Sequence, residues 1–133
     1  MTPRKTALAF VEAMNAHDPQ RLAALMTDDH IFIDSDGTRQ TGKDGLRRTW
    51  RDYFTMVPDY RIHIEETLAQ GQTVALLGQA EGTFAHEGRL EPENHWLVPA
   101  AWRVVVKDNL VFIWQIYVNP EPMVEAFKGV KGQ

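Results

Sequence analysis

Asp34 is the carboxylate best placed in this chain to do chemistry. It closes the stretch His30-Ile31-Phe32-Ile33, an apolar run with alternating polar members, and the Ser35-Asp36-Gly37 that follows reads as a turn. Period-two geometry puts His30, Phe32 and Asp34 on one face and Ile31 and Ile33 on the other. If the first face lines an apolar cavity, lost hydration disfavours the carboxylate form of Asp34 and makes it a stronger base toward a carbon acid. If that face meets water, Asp34 is an ordinary strand-end carboxylate bonded to the backbone of the turn. The sequence leaves both open. His30 shares the face and titrates near neutrality, so it is either a second acid or base or a histidine satisfied by backbone at the core edge. Asp36 lies beyond the strand, beside Gly37, and reads as turn chemistry.

The remaining candidates are pocket walls. Trp50, Trp102 and Trp114 offer flat apolar faces with N–H donors at their rims, although core packing would demand the same residues. Gly78, Ala80 and Gly82 share one strand face, where small side chains either leave room for a ligand or let the sheet curve. Phe10, Met14, Met26, Phe32 and Phe54, with Ala100 and Ile116, fall on the apolar faces of their elements and complete the expected substrate pocket. In the last strand Trp114, Ile116 and Val118 compete with Gln115, Tyr117 and Asn119 for the inward face. The first set is the expected one, because Gln115 and Asn119 would be costly to bury unpaired.

Other chemistries find little support. Gly37 to Asp44 nearly matches a phosphate-binding loop, but Asp44 puts negative charge where a hydroxyl should meet metal and phosphate, and no parallel βαβ pattern surrounds it. No serine sits in a Gly-x-Ser-x-Gly elbow. Histidines 17, 30, 63, 86 and 95 include no pair at helical ligand spacing, so no metal is expected, and His86, Glu91, Glu93 and His95 fall in an irregular stretch. No cofactor motif is present.

The elements that must position these residues are read from periodicity. Thr2-Pro3 caps a first helix whose stripe is Ala7, Phe10, Val11 and Met14, ended by Asn15-Ala16-His17. Asp18-Pro19 opens a short second helix with Leu22, Ala23, Leu25 and Met26 inward, stopped at Asp28-Asp29. A strand over about 30–35 follows. Thr41-Gly42-Lys43-Asp44 opens a third helix with Leu46, Trp50, Tyr53, Phe54 and Val57 on its apolar stripe, ended by Pro58. From Tyr60 the period becomes two, with Tyr60, Ile62 and Ile64 alternating, a turn at Gly71-Gln72 and a partner strand over 74–84. Residues 85–97 read as a polar connection of the kind that rims sites. A second hairpin spans 98–107 and 110–118, a final short helix starts at Asn119-Pro120, and 129–133 reads as a frayed tail. Helices followed by long antiparallel strands predict an α+β fold, with three N-terminal helices closing a curved, mostly antiparallel sheet into a cone-shaped barrel.

The 133 residues amount to a single domain, and the absence of cysteine excludes disulfide frameworks, thiolate metal sites and cysteine nucleophiles. A net charge of −4 without a basic block excludes a phosphate-tracking stripe, so no nucleic-acid partner is expected. No apolar run approaches a membrane span and the N-terminus lacks a signal-peptide core, so a soluble cytoplasmic protein is expected.

The order of elements, together with Ala16-His17-Asp18-Pro19-Gln20-Arg21-Leu22-Ala23-Ala24-Leu25-Met26-Thr27-Asp28-Asp29 before the first strand and Gly42-Lys43-Asp44-Gly45-Leu46 opening the third helix, resembles the nuclear transport factor 2-like superfamily. Within it the chain looks most like SnoaL-like polyketide cyclases and ketosteroid isomerases, over about residues 4–127. The resemblance implies a cone with one deep pocket for a small apolar molecule, commonly a homodimer, acting as isomerase, cyclase, hydrolase, dehydratase or plain binding protein. It places Asp34 where the isomerases keep their general base, with Trp50 and His30 as orienting candidates. The isomerases' oxyanion-donor positions hold Phe10, Met26, Trp50 and Ala100, of which only Trp50 can donate. The position of the cyclases' acid near the end of the last strand holds Gln115, Tyr117 and Asn119.

Overall fold

The computed structural model describes residues 1–131. The helices begin where their caps dictate. Thr2 accepts a hydrogen bond from the Lys5 N–H at 3.1 Å, and Pro3 starts α1 (Pro3–Asn15), which buries Ala7, Phe10, Val11 and Met14. Asp18 caps α2 (Pro19–Ala24) through the Arg21 N–H at 3.1 Å. Between them His17 has φ +53°, and its Nε2 lies 2.6 Å from the Tyr60 carbonyl while its ring stacks on Phe54 at 4.7 Å. These contacts hold a left-handed residue that would otherwise be unfavourable.

Met26 belongs to the first strand rather than to the second helix: β1 runs Met26–Ile33, and a short β2 (Arg39–Thr41), unforeseen in the sequence, folds back on it. The third helix, α3 (Lys43–Met56), buries Leu46, Trp50 and Phe54. The long strands follow as β3 (Arg61–Gln70), β4 (Thr73–Thr83), β5 (His95–Lys107) and β6 (Leu110–Val118), and α4 (Glu121–Lys131) completes the described chain. The Trp96-Val98-Ala100-Trp102-Val104 alternation begins inside the stretch expected to be a loop, so β5 starts three residues earlier than predicted. Residues 129–131, expected to be frayed, continue α4. Residues 132 and 133 lie outside the described residues.

The strands form one six-stranded sheet in the order β2-β1-β6-β5-β4-β3, antiparallel except where β1 runs parallel to β6. The α+β cone is therefore built from an open mixed sheet. No strand pairs β2 with β3, and helices rather than hydrogen bonds cover the inner face. The core lies between α1, α3 and that face, around Phe10, Met14, Leu22, Leu46, Leu76, Trp102, Val104 and Trp114. The last strand turns Trp114 inward, only 1% exposed, and leaves Tyr117 52% exposed, while Gln115 accepts from Arg103 on the outer face at 3.2 Å.

Candidate functional site

A cavity of about 460 Å³ opens between the inner sheet face, α3 and the start of α4. The end of β1 and its turn contribute Phe32, Asp34, Ser35 and Asp36. Thr49, Trp50 and Tyr53 come from α3, Tyr60 from the entry to β3, and Ala80 from β4. Trp96 and Trp102 line it from β5, Trp114, Ile116 and Val118 from β6, and Pro120 and Met123 close the side toward α4. All four tryptophans of the chain therefore face this one space.

The wall is a run of touching rings. Phe32 meets Trp50 edge-on at 5.3 Å, Trp50 meets Tyr53 at 5.7 Å, Tyr53 meets Tyr60 at 5.1 Å and Tyr60 meets Trp96 at 6.0 Å. Trp102 and Trp114 lie 6.1 Å apart. Edge-to-face pairs of this kind add cohesion beyond area burial and fix each ring's orientation. The indole N–H groups of Trp50, Trp96 and Trp102 are buried without a hydrogen-bond partner among the described residues. Orphaned buried donors are costly, and these three nitrogens have essentially no accessible surface, so the cavity is walled by the ring carbons.

Asp34 lines the cavity but is exposed, at the mouth and not in a dry interior. Its Oδ1 accepts from the Ser35 N–H at 2.7 Å, and its own N–H donates to the Thr38 carbonyl at 2.9 Å, so the turn arrangement is also present. Its charge reaches inward. Burial pushes the Tyr60 phenol well above its ordinary pKa and the Asp34 charge adds to the shift. Tyr53 is raised in the same way by burial, then by Tyr60 and Asp34. Both phenols are therefore neutral hydrogen-bond donors at any physiological pH, in the same cavity as a carboxylate. Asp36 is exposed; the Thr38 side chain and then the Thr38 N–H, which donates to its Oδ1 at 2.9 Å, hold the carboxyl below its usual pKa.

Of the residues expected at the site, Asp34, Trp50, Phe32, Ala80, Trp102, Trp114 and Ile116 come together around the cavity. His30 does not: it is buried behind the wall, its Nδ1 2.7 Å from the Val111 carbonyl, and burial lowers its pKa to about 4. The imidazole is thus neutral and its proton sits on Nδ1, facing that carbonyl. Phe10, Met14 and Met26 are core residues at most 1% exposed, and Phe54 stacks on Trp50 at 6.0 Å. Ala100, Gly78 and Gly82 also lie outside the lining. A Cβ on Gly78 would collide with the His63 carbonyl, where the β3–β4 register shifts, and one on Gly82 would strike Val57 and Trp96. These glycines admit neighbouring atoms and leave no space for a ligand.

The sequence reading missed Tyr53 and Tyr60 as site residues, though both stood on apolar stripes beside assigned wall residues. It missed Trp96 by taking its strand for a loop, and it missed the α4 contribution altogether. On the outer face, His63 Nε2 lies 2.5 Å from one Glu81 oxygen and His95 Nε2 3.3 Å from the other, while His95 Nδ1 is 2.8 Å from Thr83 Oγ1. Thr83 in turn donates to Asp59 at 2.8 Å. Among the described residues no group of three or more such side chains is arranged to hold a metal ion, and no helix is long and apolar enough to cross a membrane.

The sequence model of the family described as the SnoaL-like domain matches residues 7–114. No curated protein matches the chain in sequence. Solved structures with the same fold include a SnoaL-like polyketide cyclase from Shewanella denitrificans, so described provisionally (TM-score 0.81, 17% identity, covering 96% of this chain and 97% of that one). A protein of ketosteroid isomerase-like fold from Catenulispora acidiphila, in complex with trimethylamine, gives a TM-score of 0.79 at 17% identity, over 95% of each chain. An epoxide hydrolase of the LEH-like type from M. tuberculosis gives 0.78 at 15% identity, over 98% of this chain and 92% of that one.

Proposed function

The chain belongs to the SnoaL-like domain family, and from that premise we propose that it is an isomerase- or cyclase-like enzyme in which Asp34 is the general base acting on an apolar, cyclic or polyketide-like carbonyl compound. The observation that carries the reading is the pairing, in one aromatic cavity, of the Asp34 carboxylate with the neutral phenols of half-buried Tyr53 and buried Tyr60. A base that removes a proton from the carbon beside a carbonyl needs somewhere for the electron pair to go. The C–H pair moves into the new C=C bond, the carbonyl pair moves onto oxygen, and a preorganised donor stabilises the oxyanion. The phenols supply what the positions of Phe10, Met26 and Ala100 lack, and Trp50 contributes its ring to the wall that orients the substrate. His30 lies outside the cavity and takes no part.

The test is solvent-deuterium exchange at the α-carbon of a cyclic ketone such as β-tetralone, followed by NMR. Asp34→Asn should abolish protein-dependent exchange while tryptophan fluorescence still reports binding, and Tyr60→Phe should slow exchange by roughly 10²-fold, the cost of one oxyanion donor. Exchange undiminished in Asp34→Asn would overturn the reading. A second reading, a non-catalytic homodimeric module that holds a small apolar ligand, is favoured by the exposure of Asp34. The Catenulispora relative's trimethylamine is in keeping with either reading. On the second reading the same variant binds as the parent does and no exchange is seen in either.

A further inference from the structure

The charges around the cavity are all of one sign. Among the described residues the lining includes two carboxylates, Asp34 and Asp36, and no lysine, arginine or histidine. Arg39, the basic residue closest in sequence, forms no ion pair among the described residues and does not line the space. The two acids stand two positions apart at the strand end, so each repels the other, and the Thr38 N–H fixes Asp36 in place at 2.9 Å. Phe32, Trp50 and Tyr53 line the same cavity, their rings meeting edge-on at 5.3 and 5.7 Å.

An anionic substrate entering here would meet two carboxylates and no counter-charge. A neutral one would leave their mutual repulsion unrelieved. A cation would relieve it and would also find the negative faces of the rings, which attract ammonium groups most strongly where water is partly excluded. This argument rests on the reading above that the cavity holds the substrate. We infer that the substrate class is an apolar, ring-sized carbonyl compound bearing a protonated or quaternary amine, with Asp36 and the mouth aromatics holding the cationic end. Asp36 is then a specificity-determining residue. The roles of the two acids divide: Asp34 Oδ1 is engaged by Ser35, its Oδ2 accepts no hydrogen bond among the described residues, and that oxygen is the one free to take a proton from carbon.

The experiment compares three benzyl probes, benzyltrimethylammonium, its uncharged isostere neopentylbenzene, and the anion phenylacetate, by quenching of the cavity tryptophans at low salt (about 20 mM) and higher salt (about 300 mM). The expected order is ammonium over isostere by about tenfold or more, with phenylacetate weakest. Asp36→Asn should cut the ammonium-to-isostere ratio at least about fivefold, and higher salt should erode the same ratio. Equal binding of the three, a preference for phenylacetate, a ratio indifferent to Asp36→Asn, or no binding of any probe would each overturn the inference. The two readings fail separately. Loss of the charge preference with Asp34-dependent exchange intact sinks this inference alone, and the preference without exchange sinks the general-base reading alone.

Discussion

Burial changes the chemistry of His30. Unfolded, its imidazole titrates at its ordinary value of 6.5, and folded, burial lowers this to about 4 although the Val111 carbonyl and the charge of Asp29 oppose the shift. The sign follows directly. Between those values the unfolded chain binds a proton that the folded chain refuses, so this contribution to stability is fully present above pH 6.5 and is lost as the pH falls toward 4. At about 1.4 kcal/mol per unit, the window is worth about 3 kcal/mol. Thermal melts between these pH values should show the parent losing stability and His30→Phe losing much less, at the cost of an unpaired Val111 carbonyl. From the sequence His30 was either a second acid or base or a core-edge histidine satisfied by backbone, because alternation alone could not tell a side chain that opens onto a cavity from one that closes the core behind it. Depth separates them, and depth is set by β6 lying alongside β1.

At the scale of elements, the β3–β4 hairpin shows how a glycine can mislead. Gly78 sits opposite Ile64, where the register shifts before Glu66, and its missing Cβ is the space that the His63 backbone occupies. Gly78→Ala should therefore destabilise the protein by about 2–4 kcal/mol, read in urea unfolding, because the obstructing atoms are backbone and cannot rotate away. Were Gly78 a pocket wall, the same substitution would lower ligand affinity and leave the midpoint nearly unchanged. The hairpin is then tied to its neighbours by side chains: His63, Glu81, His95, Thr83 and Asp59 form one chain of contacts across β3, β4, β5 and the turn after α3. Strand existence was legible from period-two patterning. The start of β5 was not, because Glu91, Glu93, Asn94 and His95 mask an alternation that begins at Trp96. The three residues of β2 were too few to carry a period at all.

For the whole molecule, the order of helices and strands could be read from caps and periodicity, but sheet closure could not. The parallel pairing of β1 with β6 joins segments some eighty residues apart, and nothing local encodes it. The sheet stays open, and its β3 edge is protected by α1. Asn15 donates to the Ile62 carbonyl at 2.9 Å and accepts from the Ile62 N–H at 2.8 Å, so one side chain stands in for a neighbouring strand. The same architecture brings α3, β1 and β5 to one cavity and so gathers Trp50, Tyr53, Asp34 and Trp96, residues that the sequence scatters. Asp34 could be picked out in the sequence because it ends a strand, whereas Tyr53 and Tyr60 reach the same cavity only through elements placed by the tertiary fold.

The most direct test of this account is a crystal structure of the protein with β-tetralone in the cavity. The account predicts the carbonyl oxygen about 2.7–3.1 Å from the phenol of Tyr53 or Tyr60, with the α-carbon roughly 3–3.5 Å from an Asp34 carboxylate oxygen. A ketone seated with its oxygen toward Asp34, or an Asp34 carboxylate turned away to solvent while the cavity is filled, would contradict it.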